Sequence, residues 1–97
     1  NIQATIELMQ QIGDAHPPAG HSYAFITDEG SILLDGTGEV NTVSESATES
    51  EIEIDVKLQD LYNILKGDLS PVTAFFTGKL KLKKGSTAAA MKLASLF

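Results

Sequence analysis

The 97-residue chain contains neither cysteine nor arginine. Without cysteine there is no disulfide, thiolate nucleophile, zinc–cysteine site or iron–sulfur cluster, and the core must hold by packing alone. Without arginine the bidentate guanidinium contacts that dominate phosphate and base recognition are missing, so nucleic acid is not an expected partner. No run of about 18 apolar residues is present to span a bilayer, and the first residues lack the basic-then-apolar order of a secretory signal. An intracellular, cytoplasmic domain is the expectation. The length suits one domain over residues 1–97, and because the chain opens on Asn1 rather than Met it is read as a trimmed or excised part of a longer protein. Its last residues, Ala94-Ser95-Leu96-Phe97, are not a peroxisomal Ser-Lys-Leu address.

Positive charge is absent from the whole first half. Residues 1–56 hold eleven acids and no base, whereas residues 57–97 hold all seven lysines against Asp60 and Asp68. Two halves of opposite sign are expected to meet in the fold and neutralise each other; the competing use of the basic half is contact with anionic head groups.

Periodicity places the elements. Ile2, Ile6, Met9 and Ile12 fall at helical spacing, with Gly13 as the candidate C-cap and Pro17-Pro18 beyond it. From Ser22 the period becomes two, and Asp28-Glu29-Gly30 supplies the turn into residues 31–35, which predicts a hairpin. Residues 39–43 read as a short third strand and residues 44–50 as a polar loop. Residues 51–56 alternate acid and aliphatic without a fault, giving one apolar and one acidic strand face. Leu58, Leu61, Tyr62 and Leu65 restore helical spacing up to Gly67, and Ser70-Pro71 is an N-cap with proline at N1, opening a short helix through Phe76. Residues 79–83 mirror the acidic strand, with Leu80 and Leu82 opposite three lysines. Side by side, Glu51, Glu53 and Asp55 would face Lys79, Lys81 and Lys83, which explains the lysine stripe without a membrane role. Ser86 caps a last helix carrying Met91, Leu93, Leu96 and Phe97. The order α-ββββ-αα-β-α predicts an α+β domain with helices on one face of a mostly antiparallel sheet.

Nothing in this pattern supplies an activated nucleophile. No Gly-x-Ser-x-Gly elbow is present, and His16 and His21 sit in a Pro-Gly loop without the further ligands a metal needs. Gly36-Thr37-Gly38 lacks the third glycine of a dinucleotide fingerprint, and no lysine follows it as in a phosphate-binding loop. Glu51, Glu53 and Asp55 read as a solvated sheet face rather than a calcium site. No metal, no cofactor and no catalytic residue are expected.

The run Gly67-Asp68-Leu69-Ser70-Pro71-Val72-Thr73-Ala74-Phe75-Phe76-Thr77-Gly78-Lys79-Leu80-Lys81, followed by Gly85 and Ala90-Met91-Lys92-Leu93, resembles the signature of the sterol carrier protein type 2 family. The match covers about a quarter of the chain, with one extra residue in the link through Lys83-Lys84 and with Ala88-Ala89 opening the last helix. The resemblance implies a five-stranded, mostly antiparallel sheet covered on one face by helices that enclose an apolar tunnel. It also implies a non-catalytic function, the binding or transfer of a fatty acid, fatty acyl-CoA, sterol or phospholipid. Carried over by position, Phe75 and Phe76 would pack at the tunnel, Leu80 and Leu82 would form its floor, and Met91 would reach the ligand from the final helix. Lys79, Lys81, Lys83 and Lys84 are the candidates for head-group contact or a transient anionic membrane contact. The alternative is an accessory, substrate-presenting or dimerisation domain of a larger enzyme of lipid or alkyl-ester metabolism. An empty tunnel of about 300 Å³ would cost several kcal/mol, so a loosely packed apo state and marked stabilisation by ligand are expected.

Overall fold

The computed structural model describes residues 1–46 and 48–96. Helix α1 (Ile2–Asp14) is followed by strands β1 (Ser22–Thr27), β2 (Gly30–Asp35), β3 (Thr42–Glu45) and β4 (Ile52–Val56), helices α2 (Leu58–Lys66) and α3 (Pro71–Phe76), strand β5 (Leu80–Lys84) and helix α4 (Thr87–Ala94). The five strands form one sheet in the order β3-β2-β1-β4-β5, antiparallel except where β1 runs parallel to β4. This is the α+β architecture that periodicity predicts.

Register puts the apolar side chains on one face. Phe25 pairs with Ile32 and Ile54, Ile54 with Leu82, and Val56 with Leu80. Tyr23, Phe25, Ile32, Leu34, Ile52 and Ile54 are buried there with Ile6 and Met9 of α1, Leu58 and Leu61 of α2, and Ala89 and Leu93 of α4. The opposite face carries Glu53, Asp55 and Lys81, in keeping with a strand period of two.

Local chemistry ends the helices. Asn1 Oδ1 accepts from Ala4 N at 2.8 Å to open α1. The N-cap of α2, Lys57, offers no side-chain acceptor, and Asp28 of the β1–β2 turn supplies one from outside, accepting from Leu58 N at 2.9 Å. Gly67, at φ 84°, closes α2 in the left-handed conformation that only glycine adopts without cost. Ser70 and Ser86 cap α3 and α4 through their hydroxyls.

The bounds of several elements differ from the sequence reading. Gly13 is not the C-cap, because α1 runs on to Asp14 and Ala15 takes that position. Gly13 is glycine for another reason: a Cβ there would lie 3.1 Å from Asn41 Cβ. Asn41 is 3% exposed. Its Nδ2 donates to the carbonyls of Gly13 and Pro17, each at 3.0 Å, and of His16 at 3.4 Å, while its Oδ1 accepts from Ala19 N at 2.8 Å. With Asn41 committed inward, β3 begins at Thr42 rather than at residue 39 and takes in Ser44 and Glu45, which the sequence reading assigns to the loop. Gln10 of α1 holds the start of that strand, donating to Asn41 O and accepting from Val43 N. On the other side, β5 begins at Leu80 and contains a bulge: Glu53 pairs with Lys84 while the adjacent Ile54 pairs with Leu82, so Lys83 is the additional residue. Finally, α4 ends at Ala94, so Leu96 lies past it; Phe97 and Ala47 lie outside the described residues.

Candidate functional site

Two depressions stand out, and their chemistry separates them. The larger, about 700 Å³, is an open depression whose lining mixes Asp28, Asp55 and Asp60 with Lys57, Lys79 and Lys81. None of these six charged side chains is buried, so it has the character of a solvated cleft. The second, about 280 Å³, is walled almost wholly by carbon.

Strand alternation supplies the floor of this apolar pocket through Phe25, Ile54 and Leu80. Helical spacing brings Leu61 and Ile64 of α2 down on one side, and α3 contributes Pro71, Val72, Phe75 and Phe76. From α4 come Thr87, Ala90, Met91, Leu93 and Ala94. The rim is unusually apolar for a water-facing surface: Phe76 is 82% exposed and Met91 51%, and Val72 and Phe75 are also exposed. Phe75 and Phe76 stack edge to face with ring centroids 5.9 Å apart, giving the α3 rim a fixed aromatic tip.

Of the residues singled out from the sequence, Phe75, Phe76, Leu80 and Met91 come together in this wall. Leu82 does not; it packs on the main core two residues further along β5. Phe25, Ile54, Leu61, Ile64 and Val72 also line the pocket and are not among those residues. A signal for two of them was available, since uniform strand alternation and the β1–β4 pairing put Phe25 and Ile54 on the face of Leu80.

The lysines divide. Lys83 lies 3.6 Å from Asp55, and Lys84 lies 3.8 Å from Glu53 and 3.9 Å from Glu49. The expected facing of Lys79, Lys81 and Lys83 with Glu51, Glu53 and Asp55 holds for the pairing of the two strands and for Lys83 with Asp55, and is corrected for the rest. The bulge moves the pairing toward Lys83 and Lys84, and Lys79 and Lys81 make no ion pair among the described residues. Glu51 turns away from β5 altogether, accepting from His21 Nδ1 at 3.0 Å and from Ser22 N at 3.2 Å. The His21 hydrogen bond, aided by that of Ser22, lowers the Glu51 pKa. His16 instead contacts Ile12 O through Nδ1 at 2.8 Å, so the two histidines serve different ends of the loop. Tyr23 is fully buried, and its hydroxyl donates to Ala89 O of α4 at 2.9 Å. Burial, and secondarily the charge of Glu51, raises the phenol pKa. No helix among the described residues is long and apolar enough to cross a membrane.

A sequence profile described as the SCP-2 sterol transfer family matches residues 17–97. The chain belongs to that family. Lipid binding and transfer are properties of the SCP-2 family as a whole. One relative is Non-specific lipid-transfer protein-like 1 of Caenorhabditis elegans, 44% identical over 52 residues, which is 54% of this chain and 43% of that protein. The chain thus spans less than half the length of this relative. Among solved structures, palmitated SCP2L2 of Aedes aegypti is similar with a TM-score of 0.77 and 21% identity, over 98% of this chain and 92% of that one. A sec-alkyl sulfatase is similar with a TM-score of 0.63 and 17% identity, over 79% of this chain and 13% of the sulfatase. At these identities the likeness of SCP-2 structures speaks to fold alone.

Proposed function

We propose that the chain is a non-catalytic lipid carrier that takes a single long alkyl or acyl chain into the pocket between α3, α4 and the sheet. The observation that carries this reading is the composition of the wall: about 280 Å³ of space faced by carbon, with Thr87 the one polar residue among the described residues that line it. A dry apolar cavity of about 150 Å³ accepts one benzene ring. The pocket is nearly twice that size and accommodates on the order of a dozen carbons, much less than a whole sterol. Burial of a dozen methylenes contributes up to roughly 10 kcal/mol, which after association costs is compatible with micromolar affinity. Among the described residues the wall offers no charged partner for a carboxylate, and Thr87 alone carries a hydroxyl, so the polar end of the ligand is expected to stay at or outside the mouth.

The exposed rim of Val72, Phe75, Phe76 and Met91 suits delivery from a bilayer, where apolar side chains at the mouth meet lipid rather than water. Lys79 and Lys81, unengaged by ion pairs among the described residues, are the candidates for anionic head-group contact; Lys83 and Lys84 are occupied by acids of the protein. Mass spectrometry of lipid extracted from purified protein, with a thermal-shift series of long-chain acids and acyl-CoA, tests the reading. Co-purifying lipid and a rise in melting temperature are expected; absence of both with every long-chain ligand overturns it. Met91→Trp, which fills the mouth, is expected to weaken long-chain binding at least about fivefold with the fold intact by circular dichroism.

A second reading, an accessory domain of a larger enzyme, is favoured by the sulfatase likeness, in which this fold is 13% of the chain. Under it, a long-chain alkyl sulfate binds the pocket and turnover depends on a partner domain.

A further inference from the structure

Leu93 stands where two cavities meet. On one flank of α4, Ala90, Met91 and Ala94 face the apolar pocket. On the other, Lys92, Ser95 and Leu96 border a second pocket of about 210 Å³, closed by Tyr23 and the loop after α1. Leu93 belongs to the walls of both, and it is 5% exposed. One helical turn earlier, the Tyr23 hydroxyl holds Ala89 O, the single side-chain hydrogen bond between α4 and the sheet among the described residues. One side-chain hydrogen bond thus ties the helix to the sheet, and the side chain one turn further on borders a pocket on either side.

We propose that the two pockets are halves of one passage beneath α4 and that Leu93 is the residue that sets how long a chain the protein accepts. The inference rests on the lipid-binding reading and extends it. The apolar pocket alone holds on the order of a dozen carbons, by comparison with the roughly 150 Å³ that houses benzene. A longer unbranched chain either leaves its remaining methylenes in water, forfeiting their burial, or displaces Leu93 and continues into the space beside Pro17, Pro18 and Leu96. Burial favours the second course.

Affinities for decanoate and hexadecanoate, measured by displacement of a fluorescent fatty acid, test this in wild type, Leu93→Ala and Ser95→Trp. Ser95 is exposed and borders the second pocket but not the apolar one, so the bulky replacement fills that space from the surface without disturbing the core. Ser95→Trp is expected to weaken hexadecanoate about tenfold while decanoate changes less than about twofold. Leu93→Ala, which opens the wall, is expected to raise the preference for hexadecanoate over decanoate. Equal changes for both acids in Ser95→Trp, or no change in either, overturn the proposal even if Leu93→Ala does not fold. Failure of wild type to bind either acid overturns the lipid-binding reading instead.

Discussion

A single buried amide, that of Asn41, joins the end of α1 to the loop that leads into β1. Its donors and acceptor engage four backbone groups, and Gly13 and Gly36 lack side chains where it passes; a Cβ on Gly36 would sit 2.8 Å from Asn41 Oδ1. Asn41→Ala strands these groups inside the protein and is expected to cost about 3 kcal/mol, read from the urea midpoint. Tyr23→Phe removes one neutral hydrogen bond and is expected to cost about 1 kcal/mol, with faster amide exchange confined to α4. Glu51 has a folded pKa below the ordinary 4.5. Its contribution to stability is present above that value and is lost as pH falls through the lowered one. Glu51→Gln is therefore expected to flatten the acid limb of the stability–pH curve, as followed by urea midpoints below about pH 5. None of Asn41's role is legible locally: an Asn between Val40 and Thr42 reads as strand or turn, and its partners lie 22 to 28 residues away.

At the level of elements, the signals that succeed are short-range. Ser70-Pro71 and Ser86 open α3 and α4 as their hydroxyl chemistry predicts, and the alternating run of residues 51–56 becomes β4 from Ile52 onward. Those that fail depend on a neighbouring element. The bulge in β5 exists only in relation to β4, so the lysine ladder alone misses the pairing of Lys84 with Glu53 and assigns partners to Lys79 and Lys81 that they do not have among the described residues. The start of α2 is similar, for its acceptor comes from Asp28, 30 residues earlier. Asp28→Ala is expected to destabilise the domain by about 1 kcal/mol, and Asp28→Asn by much less, as compared by thermal melts. Phe75, Phe76, Leu80 and Met91 stand out because of family resemblance, since composition and spacing describe them equally well as core.

For the whole molecule, the cost of an empty apolar space governs behaviour. Scaled as a core cavity, about 280 Å³ forfeits on the order of 7 kcal/mol, a large part of the roughly 5 to 15 kcal/mol by which domains are stable. An occupant at a hundred times its dissociation constant adds about 2.7 kcal/mol, which in a domain of this size is expected to raise the melting temperature by at least about 10 °C. Differential scanning calorimetry with and without hexadecanoate checks it.

Residues 69–97, which contribute α3, β5 and α4 to the pocket wall, include five lysines and no acid, while eleven acids crowd the first 56 residues. The fold turns part of that imbalance back on itself, with Lys83 against Asp55 and Lys84 against Glu53 and Glu49, so that within this stretch Lys79, Lys81 and Lys92 are the lysines without an ion pair among the described residues. Near a negatively charged surface the net charge of −6 resists approach, and these lysines oppose that repulsion at short range. Added salt relaxes both effects.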